Sequence, residues 1–224
     1  MDTFRSEDEQ VQALRKWWSE NGASTVVTVC VALAVVFGWR GWQNQQQAKL
    51  DAAAFAYQNL LEAVAVAEQQ PDDIKIASAV HLADTIKQDF GNTGYAHFAA
   101  LFKARQAVAD EDYSSAEAEL RWVLEHAPTP QLQAIAELRL ARVLYAAGDA
   151  SQALELLQNT SVDAEADVVF VPQRAELAGD IYMSQGDYES AYDSYLLAQT
   201  SAVSAGVTVP PMLNTKLSYA KSYR

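Results

Sequence analysis

Between Glu20 and Arg40 lie 19 consecutive residues without a charged side chain. As a helix rising ~1.5 Å per residue they extend roughly 28 Å, close to the ~30 Å hydrocarbon thickness of a bilayer. Such a segment either crosses a membrane or lies enclosed in a large soluble core. Tryptophan separates the two. Trp17 and Trp18 precede the run, and Trp39 and Trp42 close it. A soluble core gains nothing from indoles at both ends, whereas a bilayer has two interfaces where the ring rests in lipid and the N–H meets water. A retained transmembrane helix is therefore expected over residues 22–42, with the hydroxyls of Ser24, Thr25 and Thr28 bonded back to the preceding turn.

A cleaved leader fits less well, because it would open with basic residues and end in small ones. Here the leader carries Asp2, Glu7, Asp8 and Glu9, and the run ends in Phe37, Gly38, Trp39 and Arg40. Arg5, Arg15 and Lys16 stand before the span against Arg40 and Lys49 after it, which favours a cytoplasmic N-terminus by a single charge. From residue 43 onward, 12 Lys and Arg face 24 Asp and Glu, a net charge of −12. That field repels phosphate backbones, so no nucleic-acid partner is expected. Cys30, the sole cysteine, lies within the span, and the remainder needs no disulfide.

After the span no glycine or proline occurs until Pro71, and strong helix formers fill the interval. Leu50, Ala54, Tyr57, Leu61 and Val64 recur at steps of four and three, so a membrane-proximal long helix is expected over 43–71. Two heptads are too few for a coiled coil, and packing on the next helix is the expected use of the stripe. The rest repeats itself. "DYSSAEAEL", "DASQALELL" and "DYESAYDSY" align on Ala116, Ala153 and Ala191, at periods of 37 and 38, and one step back falls on Ala79. Periods of this size belong to stacked helix pairs, in which no pair covers its own apolar face.

The details fit tetratricopeptide-like pairs: Leu140, Ala141, Leu144, Gly148, Ala153 and Leu157 in one copy, and Ala178, Gly179, Tyr182, Gly186, Ala191 and Tyr195 in the next. An earlier copy departs, with Lys103 and Glu111 where leucine and glycine are expected. The fold class is all-α: a cytoplasmic segment over 1–21, the span, the long helix, repeats over 72–210 and a capping helix over 211–224, with Met212, Leu213, Leu217 and Tyr219 or Ala220 as its apolar residues.

No metal-spaced histidines, phosphate-cradling loop or nucleophile elbow occurs, so neither catalysis nor a cofactor is expected. The first helices of such pairs line a concave face. On it fall Phe98, Leu101, Phe102 and Arg105, then Ile135, Leu138, Arg142 and Tyr145, then Gln173, Glu176, Asp180 and Met183. This is a candidate partner-binding groove, apolar at one end and acidic at the other. The alternative is that Phe98, Phe102 and Leu138 pack on the long helix. Within the span Cys30, Ala34 and Gly38 form a small-residue strip, which either admits another transmembrane helix or is covered by lipid.

The pieces "SEDEQVQALRKWWSENG", "GWRGWQNQQQ" and "AAAFAYQNL", with the single span and repetitive tail, resemble the bacterial ancillary SecYEG translocon subunits of the YfgM type. The resemblance implies a single-pass inner-membrane protein with a cytoplasmic N-terminus and a periplasmic repeat domain. It also implies association with the SecYEG translocon and with a membrane-anchored periplasmic chaperone of the peptidyl-prolyl isomerase type. Exported client proteins and an envelope-stress response regulator are further implied partners. The expected function is assistance to newly exported proteins; the alternative is a structural scaffold or regulatory adaptor that touches no client.

Overall fold

A computed structural model describes residues 7–69, 72–126, 129–159 and 168–223. Asp2 and Arg5 of the N-terminal segment, and Pro71 at the end of the expected long helix, lie outside the described residues. Among the described residues every regular element is an α-helix. The chain divides into two units, Met1–Ala52 and Ala53–Arg224.

Helix α1 (Glu7–Gln69) makes up the described part of the first unit and continues into the second. Its early part is long and apolar enough to cross a membrane. Val27, Val35 and Phe37 are each more than 60% exposed, so protein covers almost none of this apolar surface. In water such a face would be untenable, and in lipid it is the required one. Thr25 and Thr28 donate their hydroxyls to the carbonyls of Asn21 and Ser24, both at 2.9 Å, as expected, whereas the exposed Ser24 hydroxyl makes no such bond to the preceding turn. The flanking indoles lie together in pairs, Trp17 with Trp18 at 6.4 Å between ring centroids and Trp39 with Trp42 at 5.2 Å.

In the second unit the distal part of α1 is followed by α2 (Asp73–Phe90), α3 (Gly94–Ala109), α4 (Tyr113–Glu125), α5 (Pro130–Ala146) and α6 (Ala150–Gln158). Then come α7 (Val171–Ser184), α8 (Tyr188–Ser204) and α9 (Pro211–Ser222). The recurring alanines explain the stack. Ala79, Ala116, Ala153 and Ala191 are each fully buried on the second helix of a pair, where a larger side chain would hold the helices apart. Three apolar clusters succeed one another along the unit. Leu60 of α1 joins Ala83, Ile86 and Ala99; Leu120, Leu140 and Ile181 fill the centre; Tyr195, Leu213 and Ala220 close the end.

On α1 the buried face is Ala53, Leu60 and Ala67 flanked by half-buried Tyr57 and Val64, whereas Leu50 and Leu61 remain exposed. The apolar stripe read from the sequence thus turns by about one residue. Small alanines, rather than the bulkiest side chains, mark where the neighbouring helices approach. On α9, Leu213 and Ala220 face the stack while Met212 and Tyr219 face outward.

The repeated aspartates start the second helices. The Asp112 carboxylate accepts from Ser115 N at 3.0 Å and Asp187 from Ser190 N at 3.1 Å, and hydrogen bonds from these serines hold both carboxyls below the usual range. The first helices end alike: Asp112 N, Asp149 N and Asp187 N reach back to the carbonyls of Ala107, Leu144 and Tyr182 at 2.8, 2.8 and 3.0 Å. This closure requires a left-handed residue, and Gly148 and Gly186 supply it with φ of 94° and 77°. Glu111 adopts φ of 58° at the same place, so the departing copy keeps the turn at a cost in strain. Replacing Glu111 with glycine is therefore expected to stabilise the protein by about 0.5–1 kcal/mol, the left-handed penalty of about 1–2 kcal/mol less the greater unfolded freedom of glycine. Urea unfolding in detergent micelles measures it, and an unchanged midpoint would refute the strain.

Lys103 has its own explanation. Its ammonium bridges Asp84 of α2, at 2.6 Å, and Glu119 of α4, which also pairs with Lys87. Burial alone would lower the Lys103 pKa, but the hydrogen bonds and charges of Asp84 and Glu119 outweigh it and hold the pKa above the usual value.

Candidate functional site

Two adjoining hollows open on the first helices of the second unit. The larger, about 420 Å³, has a floor of Leu101, Ala104, Leu120 and Val143, from α3, α4 and α5. Arg105, Arg139 and Arg142 stand around it. The second, about 330 Å³, is walled by Tyr57, Leu61 and Val64 of α1, by Phe98 and Phe102 of α3, and by Ile135 of α5. Leu101, Arg105 and Arg139 belong to both, which makes the hollows continuous.

The expected groove residues take different places. Phe98 keeps 45% of its surface exposed while its ring lies 5.9 Å from that of Tyr57, so it packs on α1 and lines the groove at once. Phe102 is half-buried against the opening cluster and lines the same hollow. Leu101 is 7% exposed and forms floor, whereas Leu138, at 6%, lies in the central core and lines neither hollow. Tyr145 packs half-buried against that core, and Met183 against the terminal cluster. Glu176 and Asp180 do not form an open acidic end: Lys216 of α9 reaches them at 2.7 and 2.8 Å, and Asp180 also accepts the Tyr195 hydroxyl at 2.8 Å. The capping helix therefore neutralises much of this charge. In the first unit the Cys30, Ala34 and Gly38 strip is exposed along α1.

Two features escaped the sequence. Arg139 sits one turn before Arg142 on α5, and that spacing of three was the signal that both share a face. Glu137 and Arg174 form a buried ion pair at 3.3 Å, with side chains 4% and 6% exposed. They are 37 residues apart, one repeat period, and so take corresponding places on successive first helices. The same spacing joins Arg105 to Glu68 at 2.7 Å, an exposed pair that contributes at most about 1 kcal/mol. Two of the scattered histidines also meet. His97 Nε2 lies 3.1 Å from the His126 carbonyl oxygen, the His126 ring stacks on Trp122 at 3.9 Å, and burial pushes the His97 pKa down. These contacts tie α3 to the end of α4.

A family profile described as a tetratricopeptide repeat-like domain matches residues 15–221. The chain is 32% identical to an ancillary SecYEG translocon subunit of Haemophilus influenzae over 195 residues, covering 87% of this chain and 89% of the relative. It is 33% identical to the protein of the same description in Aggregatibacter actinomycetemcomitans, covering 88% and 90%. The corresponding Escherichia coli protein is 31% identical, covering 87% and 88%.

Proposed function

This chain belongs to the same tetratricopeptide repeat-like family as the ancillary SecYEG translocon subunits, and on that premise we propose that it is a non-enzymatic interaction protein tethered at the Sec translocon. Residues 22–42 hold it in the inner membrane with the N-terminus in the cytoplasm and the repeats in the periplasm. There the groove holds a segment of a membrane-anchored peptidyl-prolyl isomerase-type chaperone or of an emerging exported protein. A link to an envelope-stress response regulator would act through the same scaffold.

The observation that carries this reading is the pairing, in one chain, of an uncovered apolar span with a helix-pair scaffold bearing an open apolar groove. Tethering raises the local concentration of the groove toward the millimolar range, so weak binding suffices for useful occupancy. Affinity purification from gently solubilised membranes tests it, with the native span against an unrelated one. The native chain is expected to bring down the translocon, and absence of the translocon from that purification refutes the reading. A photo-crosslinker in place of Phe98 separates the roles. Adducts with many exported chains are expected; a single fixed partner would instead favour a scaffold or adaptor that touches no client.

A further inference from the structure

The chain carries 29 acidic residues against 16 lysines and arginines, yet around the larger hollow three arginines gather. Arg105 and Arg142 stand one repeat period apart, and the corresponding positions before and after them are Glu68 and Asp180. Glu68 is engaged by Arg105, and Asp180 by Lys216 and Tyr195. Among the described residues no carboxylate lies in ion-pair contact with Arg139 or Arg142. Burial and the fields of Arg142 and Arg105 push the Arg139 pKa below its usual value, as gathered like charges should. The floor beneath them is apolar and reaches fully buried Leu120.

We propose that this hollow seats one bulky apolar side chain of a partner polypeptide whose flanking residues are acidic, and that Arg139 and Arg142, with Arg105 beside them, hold those carboxylates. The inference rests on the groove reading above and names the chemistry of what enters. Charge complementarity selects the occupant: guanidinium forks suit carboxylates, and a desolvated apolar anchor supplies the binding energy between them. Arg139 and Arg142, one turn apart on α5 beside one apolar floor and without a carboxylate of their own, ask for carboxylates flanking an apolar group. A polypeptide segment offers that arrangement, and a single lipid headgroup does not.

The test uses the full-length protein in detergent micelles and fluorescence anisotropy with synthetic 12-residue peptides capped at both ends. One peptide has a central phenylalanine flanked by glutamates, a second has glutamines there, and a third has alanine for the phenylalanine. The first is expected to bind, and the other two at least about tenfold more weakly, in line with a lost charged hydrogen bond or a lost anchor. The double variant Arg139→Gln/Arg142→Gln is expected to weaken the first peptide by about 10–100-fold and to leave the glutamine peptide unchanged. Arg121→Gln, whose partner is Glu117 on its own helix, is expected to change nothing. Equal binding of the glutamate and glutamine peptides, insensitivity to the double variant, or no binding at all would overturn the proposal. So would equal affinity for an uncapped glutamine peptide, which would mark capture of a chain terminus, or displacement by phosphatidylglycerol micelles. Translocon recovery by the native chain is measured alongside. Its retention when the peptides fail sinks this inference alone, and its loss sinks the reading on which the inference rests.

Discussion

Replacing Arg174 with alanine is expected to destabilise the repeat unit by about 3–5 kcal/mol, because it removes the cation from a carboxylate that the fold has taken out of water and that the Gln133 amide, at 3.1 Å, cannot neutralise. The Glu137 side chain is 4% exposed and accepts from Arg174 Nη1 at 3.3 Å. Arg174 Nη2 donates to the carbonyls of Leu156 and Leu157, at 3.4 and 3.3 Å, in the last turn of α6. Deletion therefore also removes a cation from the negative end of a helix. Against a whole-domain stability of about 5–15 kcal/mol this is a large fraction, and the melting temperature should fall by roughly 10 °C. Replacing both partners with leucine should cost clearly less than the single change, since no charge is then left buried. Thermal unfolding of the four species of this double-mutant cycle reads the coupling. Strict additivity, or a single-variant loss below about 1 kcal/mol, would show that the pair is not held as described.

Gly179→Ala is expected to destabilise by about 1–2 kcal/mol, although helix propensity alone predicts a gain of about 1 kcal/mol. A Cβ at position 179 would fall 2.5 Å from Cδ1 and Cε1 of Tyr195. That ring cannot swing aside: it is 1% exposed, and its hydroxyl donates to Asp180 at 2.8 Å. The repeat suggests the remedy. The matching positions in the preceding copies are Ala104 with Leu120 and Ala141 with Leu157, all buried. In the last copy a larger ring is accommodated by a smaller neighbour. Gly179→Ala/Tyr195→Leu should recover much of the loss, short of full recovery because the bond to Asp180 is gone. A melting temperature raised by Gly179→Ala alone would contradict the packing.

Much of the candidate site could be read in advance. Arg105 and Arg142 fall a period apart, and that spacing alone puts both on first helices. The failures have a common cause. Leu138 was expected on the concave face because periodicity gives the side of a helix but not the depth to which its neighbours cover it, and here it is core. The acidic end at Glu176 and Asp180 was legible as charge, yet Lys216 is 40 residues beyond Glu176, on a helix whose docking no local pattern reveals.

Local chemistry alone thus determined the uncharged span with its indole pairs, the helical class, the period near 37, and the glycine and aspartate signals that end and begin the helices. Each is written in residue types and their spacing along the chain, without reference to what packs against them. Tertiary structure alone decided which small residues take the close approaches, which carboxylates find a cation, and where three arginines surround an open apolar floor. Those outcomes depend on how far apart stacked helices settle, a distance fixed by the fit of side chains a full repeat apart in sequence.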